Sequence, residues 1–334
     1  MIRYPWLNII YNQILNAYRK DRGHHALLLN SKRNNGENTL IYAIARWLIC
    51  SRPNENQYCN ICYDCRLMNV GHHPDYYEIS PENNTQTIGV DTIRVCINSI
   101  YNHAHQNKVK IIYVKKHVEY LTDQAINVLL KTLDDPPTNT YFFLKTRDCM
   151  RMSLTLLSRC MRWSIISPKE SIGLQWLMKN REGINNILLA QCALRLCDGS
   201  PIEAEEMFKL GLWKQRLDLC KCIHYVITNR DFLKLVPFLS TCKNDMYLYW
   251  LITVLVDALK WKQGIKKRFI INLDQFELIT VVTVHWDIVS LSRQLQQWLV
   301  LSRYFQEFNN VDRELLLTYR LLNWQQGTVE SCWH

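Results

Sequence analysis

The stretch that decides the fold runs from residue 110 to residue 144 and reads KIIYVKKHVEYLTDQAINVLLKTLDDPPTNTYFFL. Lys110–Val114 and Tyr141–Leu144 are short and almost continuously apolar, as are strands that a sheet buries on both faces. Between them, Thr122 can cap a helix whose apolar residues recur every three or four positions, and Pro136-Pro137 ends it. A strand, a helix and another strand in succession predict a parallel sheet covered by helices.

The same alternation continues on both sides of this stretch. Further apolar runs predict strands at Ala26–Leu29, Tyr76–Ile79 and Trp163–Ile166. Beyond Pro168 the strand pattern gives way to helical spacing. We therefore expect an α/β fold followed by an all-α region.

The helical half contains two segments rich in β-branched residues, Phe269–Ile271 and Ile279–Val284, which favour strands locally. It also contains one long apolar run, Met246–Leu259. Asp257 interrupts this run, and its 14 residues are too few to span a bilayer as a helix. The run therefore predicts a buried core helix.

The composition is that of a folded intracellular protein. Of 334 residues, 48% are hydrophobic and 21% charged, which excludes a mainly disordered chain, and only 10 are Gly, which excludes a collagen-like repeat. With no signal peptide or membrane span in the sequence, we expect a soluble cytoplasmic protein whose 13 Cys are reduced thiols or metal ligands. The net charge of +10 permits a nucleic-acid partner but is spread over a long chain.

The most specific local pattern is Cys59-Asn-Ile-Cys62-Tyr-Asp-Cys65, which follows Cys50. Four thiolates can close a tetrahedral zinc site, and two-residue spacers let tight turns present neighbouring sulfurs to one ion. An iron–sulfur run would need a fourth Cys after a spacer of three residues, followed by Pro, and the sequence has neither. We predict a structural zinc with Cys50, or else His72 or His73, as the fourth ligand; unligated thiols are the alternative.

A phosphate-binding loop is expected after the first strand, between Ser31 and Asn38. Such a loop needs several Gly, a Lys and a Ser or Thr, but here Gly36 stands alone and is followed by Glu37, whose charge repels phosphate. The strand that ends at Val114 leads into Lys-Lys-His, with no carboxylate for magnesium. Both losses predict a site that does not hydrolyse ATP, and an ordinary loop that never held a nucleotide is the alternative.

Arg159, in Ser158-Arg159-Cys160, is a permanent planar cation that can reach a γ-phosphate from outside a nucleotide site. Taken alone it means little, because most single arginines are solvated or paired with a carboxylate. Asp134 and Asp135 end the predicted helix at its negative pole, which costs roughly 0.3–1 kcal/mol each when they are exposed. This unfavourable choice indicates either a second use or plain solvation.

Five motifs occur in an order that resembles a known family. They are Arg22-Gly-His-His25-Ala-Leu27, the spaced Cys, Gly71-His-His-Pro-Asp-Tyr-Tyr77, Ala125-Ile-Asn-Val-Leu-Leu-Lys-Thr-Leu-Asp-Asp-Pro-Pro137 and Ser158-Arg-Cys160. Together they resemble the delta-prime subunits of the bacterial DNA polymerase III clamp loader, and the likeness runs from Tyr4 to Leu316.

The resemblance implies an AAA+ architecture in three parts. Residues 1–166 would form an α/β domain with a degenerate P-loop and a zinc module at 50–65, residues 167–207 a helical lid, and residues 208–334 a helical collar for oligomerisation. In that family the subunit is a rigid stator without ATPase activity, in a five-subunit ring with delta and gamma or tau subunits. The ring opens the β sliding clamp and places it on primed DNA.

The resemblance also assigns residues. It implies zinc ligation by Cys50, Cys59, Cys62 and Cys65, and it makes Arg159 an arginine finger that acts in trans on ATP bound by the neighbouring gamma or tau subunit. The chain departs from the family at Asp134-Asp135, where relatives tend to have Glu-Glu, and at Val128 in place of Ala. Ile202 stands where ATP-using relatives place a sensing Arg, in line with an absent ATP site.

Two other functions compete with this interpretation. An independent P-loop ATPase would need the phosphate Lys and the magnesium carboxylate, whose places are taken by Glu37 and Lys116. A zinc-dependent nucleic-acid-binding protein would need interleaved aromatic and basic residues on the knuckle, where only Tyr58, Tyr63 and Arg66 could serve.

Overall fold

The computed structural model describes residues 4–81, 87–102, 109–180, 186–240, 245–308 and 311–330. The chain divides into two compact units, Met1–Pro168 and Lys169–His334. The strands of the first unit are β1 (Ala26–Asn30), β2 (Tyr76–Ile79), β3 (Lys110–Val114), β4 (Thr140–Thr146) and β5 (Met161–Ser164). Its α-helices are α1 (Asn8–Arg19), α2 (Glu37–Ile49), α3 (Tyr63–Val70), α4 (Val90–Asn102), α5 (Asp123–Asp134) and α6 (Leu154–Ser158).

In the described part of the first unit, the strands form one parallel sheet in the order β2-β3-β4-β1-β5. Side chains of a strand alternate between the two faces. Leu27 and Leu29 therefore join a core with α1 and α2, whereas Ala26 and Leu28 join a second core with α4 and α5. Both faces are covered, which confirms the predicted α/β class.

The helix that was predicted between β3 and β4 is α5. The hydroxyl of Thr122 accepts a hydrogen bond from the N–H of Ala125 at 3.3 Å, which caps the helix. Ala125, Leu129 and Leu133 are buried against the sheet, and the helix ends just before Pro136-Pro137.

The last strand lies two residues earlier than the predicted Trp163–Ile166. Leu27 pairs with Met161 and Asn30 with Ser164, so the ladder ends with β1. Ile165 still donates its N–H to the carbonyl of Asn30 at 2.8 Å, but Ile166 is 80% exposed. The length of the neighbouring strand, rather than the apolar run, sets this boundary.

The second unit is helical throughout its described residues. Its α-helices are α7 (Glu170–Asn180), α8 (Ile187–Leu196), α9 (Pro201–Lys209), α10 (Leu212–Asn229), α11 (Val236–Ser240), α12 (Met246–Lys262), α13 (Phe276–His285), α14 (Ile288–Glu307) and α15 (Arg313–Glu330). The core helix predicted at Met246–Leu259 is α12. Within the described ranges, no helix is both long and apolar enough to cross a membrane.

The division of this unit into a lid at 167–207 and a collar at 208–334 stays a prediction. Residues 181–185, 241–244, 309–310 and 331–334 of those two segments lie outside the described residues.

Neither β-branched segment of the second unit forms a strand. Ile279–Val284 lies inside α13, where Ile279 and Val282 are buried at helical spacing. Burial on one helical face overrides the local strand preference of β-branched residues.

The segment Phe269–Ile271 is instead fixed by a buried polar network. The carboxylate of Asp257, fully buried, accepts hydrogen bonds from the N–H groups of Ile271 at 3.0 Å and Asn272 at 2.7 Å. Arg216, equally buried, donates to the side chain of Asn272 at 2.7 Å and forms a two-pronged contact with Asp274 at 2.7 and 2.9 Å. Backbone donors that a strand would need are therefore bonded to a carboxylate.

Candidate functional site

The predicted metal ligands Cys50, Cys59, Cys62 and Cys65 lie together. Cys50 follows α2, Cys62 caps α3 and Cys65 lies in its first turn. All four sulfur atoms lie within 4.8 Å of one another. The segment between the two helices therefore returns Cys50 to the three closely spaced Cys.

Backbone N–H groups point at these sulfur atoms. Cys59 donates its N–H to the sulfur of Cys50 at 3.4 Å, Cys62 to that of Cys59 at 3.3 Å, and Cys65 to that of Cys62 at 3.4 Å. Hydrogen bonds from the N–H groups of Cys62 and Ile61 lower the pKa of the Cys59 thiol to about 6. Such donors stabilise a thiolate, which is the form that binds metal, whereas burial raises the pKa of the Cys50 thiol and raises that of Cys65 to about 12.

The spacing of the sulfur atoms fits a tetrahedral zinc ion. With Zn–S bonds of about 2.3 Å, the edges of the tetrahedron are about 3.8 Å long. Three of the sulfur–sulfur separations are 3.5 Å for Cys50 to Cys59, 4.0 Å for Cys50 to Cys62 and 3.9 Å for Cys59 to Cys65, and all pairs lie within 4.8 Å. A zinc ion bound here would cross-link the end of α2 to the start of α3.

The two histidines that could replace Cys50 lie elsewhere. His73 is buried; its Nδ1 accepts the N–H of Asp75 at 3.1 Å and its Nε2 lies 3.6 Å from the carboxylate of Asp64. His72 is exposed. Of the residues that the structure describes, the ligand group is made of the four Cys without a His.

In the phosphate-loop segment between β1 and α2, backbone N–H groups donate hydrogen bonds to side chains of the same segment. The Oε1 atom of Glu37, a residue only 4% exposed, accepts the N–H of Asn35 at 3.2 Å. The side chain of Asn34 accepts the N–H of Gly36 at 3.3 Å. Backbone donors of the kind that cradle a phosphate are therefore engaged by side chains of the loop, and one of these carries negative charge.

Aromatic residues from the start of the chain fill the space beside this loop. Gly36 has a φ of +97°, and a Cβ atom there would lie 2.6 Å from the ring of Tyr4. The indole N–H of Trp6 donates to the carbonyl of Asn35 at 2.9 Å, and its ring stacks on Tyr4 at 5.3 Å. The conformation that Gly permits thus serves packing against these rings.

The side chain of Asn38, which takes the place of a magnesium-binding hydroxyl, is also engaged in hydrogen bonds within the protein. Its Oδ1 atom accepts hydrogen bonds from the hydroxyl of Tyr113 at 2.6 Å and from the ammonium of Lys145 at 2.7 Å. Burial lowers the pKa of Lys145, and the nearby carboxylate of Glu37 acts in the opposite direction. The end of β4 therefore presents a cation beside this loop, and β3 leads into Lys115 and Lys116 instead of a magnesium-binding carboxylate.

Glu119 is a residue that the sequence patterns did not single out. Its carboxylate accepts hydrogen bonds from the hydroxyl of Thr146 at 2.6 Å and from the N–H groups of Arg147 at 2.8 Å and Asp148 at 3.2 Å. These donors lie at the carboxyl end of β4, the edge at which parallel sheets bind ligands. No motif marks this contact, because it joins residues that are distant in the sequence.

Arg159 lies at the surface of the first unit, directly after α6. Its Nε atom donates to the carboxylate of Asp134, its Nη1 atom donates to the carbonyl of Thr155 at 2.9 Å, and the side chain is 33% exposed. The hydrogen bond to Asp134 raises the pKa of Arg159. The structure therefore brings together two residues that the sequence could single out only separately.

Comparison with known families follows the two units. The family model of the DNA polymerase III delta subunit matches residues 6–169, and a second model, of the C-terminal part of that subunit, matches residues 211–326. A DNA polymerase III delta′ subunit from Yersinia pestis is 39% identical over 326 residues, which cover 96% of this chain and 95% of that protein. The delta′ subunit from Escherichia coli K12 is 36% identical over 319 residues, which cover 96% and 94%.

Among solved structures, a gamma-subunit-related protein of DNA polymerase III from Thermotoga maritima superposes with a TM-score of 0.48 at 19% identity, and the match covers 95% of this chain and 99% of that one.

The matches to both units define a class, the delta-type subunits of DNA polymerase III. More narrowly, the chain belongs to the delta′ family, since delta′ relatives match it at 36–39% identity over nearly its whole length. This confirms the resemblance that the sequence motifs carry.

Proposed function

We propose that the chain is a non-catalytic subunit of the DNA polymerase III clamp loader, which helps to load the β sliding clamp onto primed DNA in the cytoplasm. The observation that carries this proposal is the near full-length match to delta′ subunits. In the proposed assembly it joins delta and gamma or tau subunits in a ring of five.

The proposed lack of ATPase activity is supported by the chemistry of the degenerate loop. A bound triphosphate would have to displace the Glu37 carboxylate from the N–H of Asn35 against charge repulsion. It would also find no magnesium-binding carboxylate after β3, where the chain continues with Lys115 and Lys116. A titration of the purified chain with ATP should detect no binding at micromolar concentrations, and steady turnover would contradict the proposal.

The proposed role of Arg159 is to reach the γ-phosphate of ATP that a neighbouring gamma or tau subunit binds. A guanidinium suits this task, because it is always charged and donates its N–H groups to phosphate oxygens. Its partly exposed position after α6 leaves it accessible to a neighbour. The group would stabilise charge on the transferred phosphoryl in the transition state.

Assembly with other subunits is supported by exposed apolar residues on the last two helices. On α14, Val300 is 65% and Tyr304 41% exposed, and on α15, Leu315 and Tyr319 are each 66% exposed. Each pair is spaced by four residues and therefore lies along one helical face. Apolar surface that water covers in the isolated chain is typical of a protein–protein interface.

The four Cys are proposed to hold a structural zinc ion. A site with four thiolate ligands has no open coordination position for a substrate, so its contribution is to stability. It would hold the segment between α2 and α3, which also contacts α2 through the hydrogen bond from Arg46 to Asn60 at 2.7 Å.

The finger is tested by Arg159→Ala in a complex reconstituted with its partner subunits. We expect normal assembly and a fall of at least about tenfold in the ATPase rate stimulated by DNA and clamp, since trans arginines contribute about 10³–10⁵ in rate at the site they serve. Arg94→Ala is the matched control, because Arg94 is exposed and pairs only with Asp91 one turn away among the contacts of the described residues. An unchanged rate for Arg159→Ala would exclude Arg159 as the finger.

A further inference from the structure

The contact between Arg159 and Asp134 joins two elements that are distant in the sequence. Asp134 is the last residue of α5, and Arg159 directly follows α6. The Nε atom of Arg159 donates to Oδ1 of Asp134, and both side chains are partly exposed, at 33% and 54%. Neither residue is buried enough for this pair to add much to the stability of the fold.

Asp134 occupies a place that is unfavourable for a carboxylate. The carboxyl end of a helix carries partial negative charge, and α5 ends in two consecutive acidic residues. Fold stability alone would favour a neutral or basic residue there. A carboxylate at this position that is directed at one arginine indicates that the contact serves the arginine.

The backbone at the end of α5 is restrained by contacts on both sides of Asp134. Leu133, the preceding residue, is 2% exposed, and its carbonyl is bonded to the ring of His25 at 3.0 Å. The hydroxyl of Tyr101 donates to the carbonyl of Asp135 at 3.5 Å. These two contacts restrain the backbone on either side of Asp134.

The two contacts of the guanidinium restrain its orientation. Asp134 engages Nε, and the carbonyl of Thr155 engages Nη1 at 2.9 Å. In the part of the chain that the structure describes, Nη2 has no hydrogen-bond partner. The guanidinium is thus held from two sides, at Nε and at Nη1, while its Nη2 amino group remains available to an oxygen atom from outside.

We infer that Asp134 is a positioning residue for Arg159: it holds the guanidinium in the orientation in which Nη2 meets a phosphate oxygen of the neighbouring subunit's ATP. This inference rests on the proposed role of Arg159 as a finger and adds the residue that prepares it. An arginine side chain has many rotamers, and the ATPase rate is lower when the arginine must first adopt its catalytic orientation in the transition state.

The test compares three variants of the full chain in the reconstituted complex. Asp134→Ala removes the carboxylate, Asp134→Glu restores a carboxylate one methylene longer, and Asp135→Ala removes the same charge from the same helix end without touching Arg159. The rotamer freedom of an arginine corresponds to about a 30-fold rate factor when it is lost entirely. Because Thr155 still holds Nη1, we expect Asp134→Ala to lower kcat about fivefold.

A positioning role has a kinetic signature that a merely structural role lacks. Asp134→Ala should lower kcat and kcat/KM equally with KM unchanged, because the finger acts in the transition state. Asp134→Glu should recover most of the rate, and Asp135→Ala should match the wild type. The inference is overturned if Asp134→Ala has an unchanged or raised ATPase rate while Arg159→Ala shows a strong loss; that result would still support Arg159 as the arginine finger. No loss in Arg159→Ala overturns the finger and the inference with it.

A second measurement needs no partner subunit. The Nε–H group of Arg159 should give a nuclear magnetic resonance signal that exchanges with water more slowly than that of Arg94, whose described contact to Asp91 is through Nη1. In Asp134→Ala the Arg159 signal should exchange at least about tenfold faster, since a hydrogen-bonded N–H must open before it exchanges. Equal exchange in the wild type and in Asp134→Ala would contradict the hold on Nε.

Discussion

Zinc binding by the Cys cluster is a prediction that follows directly from the distances between its sulfur atoms. The perturbation is Cys65→Ser, which removes a ligand that is 1% exposed and lies at the start of α3. Three sulfur separations of 3.5–4.0 Å match the edges of a tetrahedron around zinc and all pairs lie within 4.8 Å, so we expect about one zinc ion per wild-type chain. The variant should retain almost none after dialysis against a mild chelator.

The effect on stability follows from mass action. At a free zinc concentration 100 to 1,000 times the dissociation constant, a bound ion stabilises the folded state by about 3–4 kcal/mol. In a unit the size of Met1–Pro168, each kcal/mol shifts Tm by about 2–4 °C. Loss of zinc should therefore lower Tm of the first unit by about 6–16 °C.

The assay combines elemental analysis with calorimetry of the full chain, with and without chelator. Cys96→Ser is the matched control, because Cys96 is a partly buried free thiol outside the cluster; it should keep its zinc. Wild-type protein prepared without chelator that holds no zinc would refute the site. Loss of zinc in His73→Ala, with zinc retained in Cys50→Ser, would refute the ligand set.

Two other substitutions test packing that the structure makes explicit. Asp274→Asn should destabilise the second unit by about 3–5 kcal/mol in thermal unfolding, because it leaves the buried Arg216 without its counter-charge. A double variant, Arg216→Met with Asp274→Leu, should lose less stability, because no buried charge is left unpaired. A larger loss of stability in the double variant would contradict this explanation. Burial acts to raise the pKa of Asp274, but the hydrogen bonds and charge of Arg216 outweigh it and leave the pKa below its usual range. A carboxylate whose pKa is lowered by folding stabilises the fold at pH values above its pKa in the unfolded chain, about 3.9, and this contribution is lost as the pH falls through its pKa in the folded protein. Denaturant titrations from about pH 5 to 3 should therefore show that the free energy of unfolding falls more steeply for the wild type than for Asp274→Asn. Gly36→Ala should lower the free energy of unfolding by about 2–3 kcal/mol, of which left-handed backbone strain supplies about 1–2 kcal/mol and the clash with Tyr4 the rest. Gly71→Ala is the control, because Gly71 has a φ of +78° and nothing within 4 Å of an added Cβ, so only the backbone strain should be lost. Equal losses of stability in the two variants would contradict the packing of Gly36 against Tyr4.

Local chemistry made much of the fold readable from the sequence. Thr122, the apolar spacing of α5 and the Pro pair act within one helix, so the helix was predicted with its correct ends. The end of β5 depends instead on the length of β1, and the conformation of Phe269–Ile271 depends on a buried carboxylate from α12. Neither dependence is visible in a window of neighbouring residues.

The candidate sites divide in the same way. The short spacing of Cys59, Cys62 and Cys65 predicts a metal knuckle, whereas the choice between Cys50 and a His as fourth ligand depends on how the chain returns. Charge alone marked Glu37 as hostile to phosphate, but its bond to the N–H of Asn35 required coordinates. The pairing of Arg159 with Asp134 likewise depends on how α5 and α6 pack.

The central claim is that this chain assists a clamp loader without using ATP itself. The most direct test is the loading of labelled β clamp onto primed DNA by delta and gamma or tau subunits, with and without this chain. We predict that loading requires the chain, that the chain alone binds no ATP, and that Arg159→Ala assembles into the complex but loads poorly. Full loading without the chain, or ATP turnover by the chain alone, would contradict the claim.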